Sequence, residues 1–282
     1  VQSRAFPPYY HIPDIKKFWT KEMDDVKIRM GGYLSAAPIF ESSDTSEAVI
    51  FRISDTASYR SLYKKILVAK DHYYSISAIG DTISGLSPFS TSIFNSFKPY
   101  GPAGRNLQIS RTDKYFEDFF SDDTAVVSKA RKVVSSINFY QEDVPKIVEA
   151  INRINTADKE YYSLKTKLIA ELGYIKDSNN SVVPALMEIY AASVDTSFFQ
   201  NEVVSALARN KSLESFRELK KLLINEPPVF TNSYQYGTLF RIIDDSLSLA
   251  ATLIPDILPL ASVSDYRQPV YNLIEKLVDS GY

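Results

Sequence analysis

The stretch 168–190, "LIAELGYIKDSNNSVVPALMEIY", holds the end of one helical pattern, a polar joint and the start of another. Tyr161, Leu164, Leu168 and Leu172 recur at steps of 3, 4 and 4, which places them on one stripe of a helix over 157–173. Gly173 stands where that helix is expected to stop, and residues 177–181, Asp-Ser-Asn-Asn-Ser, supply turn chemistry. The next helix is expected to set Val183, Leu186, Met187 and Tyr190 on one face, with Pro184 tolerated in its first turn. A third helix carries Phe199, Val203 and Leu207 behind Thr196 as a cap. A fourth carries Phe216, Leu219 and Leu223 and is closed by Pro227-Pro228.

Beyond it the looser connection 225–237, "NEPPVFTNSYQYG", leads to a fifth helix marked by Leu239, Ile242 and Ile243. Leu249, Leu253, Ile257 and Leu260 mark a sixth, which Pro255 and Pro259 are expected to bend or shorten. Val270, Leu273, Ile274 and Leu277 mark a seventh, stopped by Gly281. The two central joints superimpose. Laying Leu172 on Leu207 brings Lys176 onto Lys211, an offset of 35 residues, and two fewer residues in the second turn bring Leu186 onto Leu219. A period of that length is the mark of stacked helical pairs, each burying one stripe by itself and the rest against its neighbour.

The pattern of a helix with Leu-Gly or Leu-Ala near its end, a short Asp/Ser/Asn turn and a second helix opening on valines or a proline resembles a HEAT-type repeat over about 157–282. That resemblance implies an all-α, right-handed superhelix whose long face takes a protein partner. The last stripe looks like the first helix of a further pair, and the chain opens on Val-Gln-Ser-Arg, so we expect a fragment of a longer polypeptide.

The first half follows another period. Segments 47–53 (EAVIFRI), 62–69 (LYKKILVA) and 73–80 (YYSISAIG) are rich in β-branched and aromatic residues. Lys70-Asp71-His72 is a hairpin-length link, with Tyr74, Ile76 and Ala78 on one face of the last strand and Tyr73, Ser75 and Ser77 on the other. Leu86, Phe89, Ile93 and Phe97 then mark a helix. The expected fold class is therefore an α+β module, an antiparallel sheet with a packed helix, over 1–111, followed by the helical-repeat domain over 112–282. Residues 98–112, with two Pro and two Gly, form the domain edge, and residues 113–154 are expected to hold two or three helices, around Phe116, Phe119 and Phe120, over 126–137 and over 144–154. The strands and helix of the first half resemble a PsbP-like module. Joined to degenerate helical repeats, they resemble a segment of large bacterial envelope proteins with a TraB/GumN-type region. That resemblance implies a bacterial cell-envelope or periplasmic setting. It also implies a catalytic signature of paired Gly-x-x-His motifs that this chain does not carry, since Pro8 and Ala69 stand three residues before His11 and His72.

Composition narrows the chemistry. The 282 residues carry 32 basic and 34 acidic side chains, a net charge of −2 that makes no electrostatic case for nucleic acid. The absence of cysteine rules out disulfides, zinc-thiolate sites and thiol nucleophiles. No apolar run approaches a membrane span. His11 reads as a packing or surface residue in "FPPYYHIP", and His72 sits beside Asp71 in a turn, poorly placed for a dyad. The acid pairs Asp24-Asp25, Asp122-Asp123 and Asp244-Asp245 diverge along one segment, where converging carboxylates would be needed for acid–base or metal work. "YGPAGRN" (100–106) lacks phosphate-loop spacing. Arg209, Lys211, Arg217, Lys220 and Lys221 interleave with Glu202, Glu214 and Glu218, as on a salt-bridged solvated face. No catalytic, cofactor or metal residue is therefore nominated.

What remains is a binding surface for another protein or another domain of the same polypeptide, with Tyr190, Phe230, Tyr234 and Tyr236 as its candidate residues. The expected role is a non-enzymatic interaction or scaffold segment. The alternative is an accessory region supporting a hydrolase domain elsewhere in the polypeptide.

Overall fold

The computed structural model describes residues 1–44, 46–55, 57–69, 71–99, 107–176 and 180–282. The chain forms two compact units, Val1–Tyr115 and Phe116–Tyr282.

The first unit is built on a six-stranded antiparallel sheet made of β1 (Gln2–Ala5), β2 (Tyr33–Leu34), β3 (Ile39–Ser43), β4 (Ser46–Ser54), β5 (Arg60–Ala69) and β6 (His72–Asp81). The order is β1-β6-β5-β4-β2, with β3 also paired to β4. The long ladder joins β4 to β5 and β5 to β6, and its register sets Leu67 opposite Tyr74 and Ile66 opposite Ser75. Side chains therefore alternate between two covered faces. On one face α1 (Ile15–Met30) lays Trp19, Met23 and Val26 over Val49, Phe51, Ile53, Ile66 and Val68. Asp14 caps that helix by accepting from the amides of Lys16 and Lys17, and Gly31 ends it at φ +61°. On the other face Ala48, Leu67 and Ala69 meet Tyr74 and Phe97, next to α2 (Pro88–Ser96). Lys65 is buried there, paired with Glu41 at 2.8 Å and donating to the Phe94 carbonyl.

The strands expected over 47–53, 62–69 and 73–80 are the three central ones, with Asp71 at φ +63° in the link before β6; Lys70 lies outside the described residues. The helix expected through Leu86 and Phe89 is corrected. Ser87 accepts from the Ser90 amide and Pro88 opens the first turn, so the helix starts later and buries Phe94, leaving Phe89 74% exposed. Helix α1 and strands β1, β2 and β3 add to the expected set.

The helix α3 spans Thr112–Phe119. In the second unit follow α4 (Thr124–Lys132), α5 (Val144–Arg153), α6 (Tyr161–Tyr174), α7 (Val182–Ala191), α8 (Ser197–Asn210), α9 (Leu213–Asn225), α10 (Ser233–Asp244), α11 (Leu247–Ala250) and α12 (Ser264–Asp279). Helix α6 packs on α8, α8 on α10 and α10 on α12, while α7 packs on α6 and α8, and α9 on α8 and α11. Leu164, Leu168, Leu172, Phe199, Val203, Leu207, Leu239, Ile243, Val270, Leu273 and Leu277 are buried along this row, whereas Ile242 and Ile274 are half-buried.

Gly173 has a different role from the expected stop signal. It lies inside the last turn of α6, and a Cβ there would stand 2.7 Å from the Ala206 carbonyl oxygen and 2.8 Å from its Cα. Close approach of two helix backbones is what requires glycine at 173. The face of α7 is also corrected: Val182, Val183, Ala185, Leu186 and Ile189 are buried, and Met187 and Tyr190 are half-buried. Thr196 takes the cap position of α8 without a side-chain capping bond. The sixth expected helix is cut to the four residues of α11 and two 3-10 turns, 251–253 and 258–262, as a proline every four residues dictates. The turn residues 177–179 lie outside the described set.

Candidate functional site

The cross-joint contacts of the helical unit recur at a nearly constant separation. Lys176 Nζ donates to the Asn210 carbonyl at 3.2 Å, 34 residues on, and Lys211 Nζ meets Asp245 at 3.4 Å, again 34 residues on. These are the two lysines that the sequence superposition laid on each other. The buried Asn210 side chain donates back to the Ile175 carbonyl at 3.2 Å and so closes the end of α6. On the other helices Tyr190 donates to Glu226 at 3.1 Å and Lys220 to Asp256 at 2.8 Å, each 36 residues apart.

The four candidate surface residues divide. Tyr236 is withdrawn from any surface: it is buried, its ring meets Tyr266 edge-on at 4.8 Å, and its hydroxyl accepts from the Phe230 amide at 3.1 Å. Phe230 is half-buried and packs edge-on against Tyr236 at 4.9 Å. Tyr190 is half-buried with its hydroxyl bonded to Glu226; burial and then that carboxylate push its pKa up to about 12. Tyr234 alone stands out, 77% exposed. Phe230 in the connection before α10 and Tyr236 in the first turn of that helix, which starts earlier than expected, thus close a distorted joint, with Tyr266 donating to the Pro228 carbonyl at 2.5 Å.

Tyr234 has counterparts that sequence reasoning passed over. It is the second residue of α10, Phe198 is the second of α8 and Tyr162 the second of α6, at a spacing of 36 residues. Tyr162 and Phe198 are 57% and 47% exposed, and their rings meet edge-on at 6.2 Å. Beneath them Lys165 stands over the Tyr161 and Phe199 rings at 5.3 and 5.1 Å, and burial lowers its pKa. The signal was present as a recurrence of Tyr, Phe and Tyr at fixed spacing, outside the apolar stripes that reveal helices.

Titratable groups gather in one further place. Glu202 and Arg209 of α8 form an ion pair at 2.6 Å, both largely buried, and Arg209 also lies over the Tyr174 ring at 5.8 Å. Glu171 of α6 adjoins them. Burial raises its pKa to about 7 against the opposing pull of a Ser135 hydrogen bond and the Arg209 charge. Burial likewise raises Glu202, opposed by Arg209. This arrangement can hold a proton near neutral pH inside the helical packing.

The acid pairs separate as adjacent residues do. Asp123 caps α4, Asp24 meets Lys27, and Asp244 and Asp245 reach different partners, Lys276 and Lys211. Four of the five basic residues expected along one edge meet carboxylates: Arg209 with Glu202, Lys211 with Asp245, Lys220 with Asp256 and Lys221 with Glu218. His11 is buried, and His72 opens β6 with its ring stacked on Tyr74 at 5.9 Å. The stretch 100–106 lies outside the described residues. Among the described residues no group of three His, Cys, Asp or Glu could hold a metal, and no helix is long and apolar enough to cross a membrane.

Comparison with family models, with curated proteins and with solved structures finds no match.

Proposed function

We propose that the chain is a non-enzymatic interaction or scaffold segment whose helical unit is a HEAT-like array and whose partner is another protein or another domain of the same polypeptide. Support for the array comes from the repeated joint: two lysines 35 positions apart each tie their joint to the next, and alternate helices pack in a row. The observation that carries the binding role is the run of exposed rings on Tyr162, Phe198 and Tyr234, each the second residue of an alternate helix. Exposed aromatics concentrate binding energy because they cover much area at little entropic cost.

The test places a photo-crosslinking phenylalanine derivative at 162, 198 and 234 in turn, with Leu258 and Val278 as exposed controls. One partner crosslinked from all three positions and lost from the Tyr162→Ser, Phe198→Ser, Tyr234→Ser triple variant, with unchanged far-UV circular dichroism, is the expected result. Equal capture by the wild type and the folded triple variant overturns the reading.

A further inference from the structure

The α1 face of the sheet module carries a cavity of about 760 Å³ that has no part in the reading above. Its walls are β1, the facing strands β6 and β5, and one side of α1. Register brings Arg4 opposite Tyr73 and Gln2 opposite Ser75, while Lys64 faces the same way two positions along β5 from Ile66. Glu22, Asp25 and Arg29 come from α1, at spacings of 3 and 4 that put them on one helical face.

The three cations of this cavity outnumber its two carboxylates, Glu22 and Asp25. Arg4 stacks over the Tyr73 ring at 4.5 Å, Arg29 spends its Nε on the Asp25 backbone carbonyl, and Lys64 makes a 3.3 Å bond to Ser77 Oγ. Among the described residues none of the three has a carboxylate within ion-pair distance. Glu22 already accepts a 2.6 Å bond from the Tyr73 hydroxyl. Burial lowers the Lys64 pKa and the neighbouring Arg29 charge lowers it further, against an opposing pull from Glu22. Three positive groups are thus held near one another around an open space, an arrangement whose repulsion a bound anion would relieve. Arginine forks and a lysine point charge together suit the oxygens of phosphate and carboxylate groups.

We propose that this cavity binds a small organic anion through a phosphate or carboxylate group held by Arg4, Arg29 and Lys64. Tyr73 positions Glu22 at the edge of the site and offers its ring as the apolar wall.

The experiment is an amide chemical-shift titration of the whole chain with inorganic phosphate and, separately, citrate, against sodium chloride of equal ionic strength. Saturable shifts at residues 2–4, 25–29 and 73–75 are expected with one or both anions, and the one that binds tighter identifies the preferred group. Lys64→Gln is expected to weaken binding at least tenfold and Glu22→Gln to strengthen it. Arg29→Gln, at an exposed helical position, serves as the second weakening variant should Lys64→Gln fail to fold. Shifts that chloride reproduces, or an affinity unchanged in a folded variant, overturn the site. Phosphatidylcholine vesicles with and without phosphatidic acid separate a lipid-borne phosphate from a free one. Binding to acidic vesicles without any saturable response to soluble anions overturns the small-ligand assignment.

Discussion

The two units solve the same problem, covering apolar surface, by different means. In the sheet module a hydrogen-bonded ladder fixes every side chain to one of two faces, and α1 and the α2 side each close one. The helical unit has no such ruler. Its spacing is set by what passes between helices, such as Gly173 against the Ala206 backbone, the Asn210 amide against the Ile175 carbonyl and lysines reaching to the next joint. A ladder distributes registration over many equivalent bonds, whereas packed helices depend on a few residues at the closest approach. Substitutions at those two kinds of position therefore differ in what they break.

The largest effect belongs to the shared core of the module. Phe51, in the middle of β4, is buried in the cluster that contains Trp19, the chain's one tryptophan. Phe51→Ala is expected to cost about 3–5 kcal/mol, the range for removing a buried ring where neighbours collapse only in part. Trp19 fluorescence in urea reads the loss directly. A cost below about 1 kcal/mol would mean that the α1 seat is loosely packed.

Next comes the closest approach in the helical unit. Gly173→Ala places a methyl group against backbone atoms that no rotamer change can move, so α6 and α8 must separate. The expected cost is about 3 kcal/mol, the upper end for overpacking, even though alanine is the better helix former. Ellipticity at 222 nm during urea unfolding measures it. A neutral or stabilising result would show that the row of helices yields freely and that Gly173 does not set its spacing.

How much of this was legible beforehand differs between the units for physical reasons. The central strands and the helices α6 to α10 and α12 carry strong periods, because each buries a broad face. Helix α1 buries three residues, Trp19, Met23 and Val26, in sixteen, and is charged elsewhere, so its stripe is thin. Its Asp14 and Gly31 caps were the available signal. Strand β3 is exposed at all five positions, so alternation had nothing to report. The roles of Gly173 and Tyr236 depend on residues 33 and 30 positions away, Ala206 and Tyr266, which no local pattern includes. For the candidate surface, an aromatic in a segment that reads as a connection is ambiguous until its burial is known. Tyr234 and Tyr236 differ by two residues and lie on opposite sides of that question.

A third contrast concerns charge. The raised pKa of Glu171, from 4.5 to about 7, means that the folded state holds a proton which the unfolded chain releases between those values. Stability therefore falls as pH rises from about 4.5 to 7 and is level above that window. Glu171→Gln keeps an acceptor for Ser135 and removes the buried charge. It is expected to stabilise the helical unit at pH 8 by about 1–3 kcal/mol, the ceiling being reduced by partial solvent access, with little change at pH 4.5. Thermal unfolding of both proteins at pH 4.5, 6 and 8 separates the outcomes. Parallel curves would show that Ser135 and Arg209 already hold the Glu171 carboxylate charged at no cost.

The smallest effect sharpens the meaning of the second. Gly237 also lies within a helix, α10, yet a Cβ there meets nothing within 4 Å, and its φ is not positive. Gly237→Ala therefore tests helix propensity alone. Restricting the unfolded chain should stabilise the protein by about 0.5–1 kcal/mol. The same substitution is thus expected to raise stability at 237 and lower it at 173, with identical side-chain chemistry and a similar helical setting. Opposite signs in one urea series isolate the contact with Ala206 as the cause. Equal signs would place the cost of Gly173→Ala in the helix itself and remove close approach as the device that spaces α6 and α8.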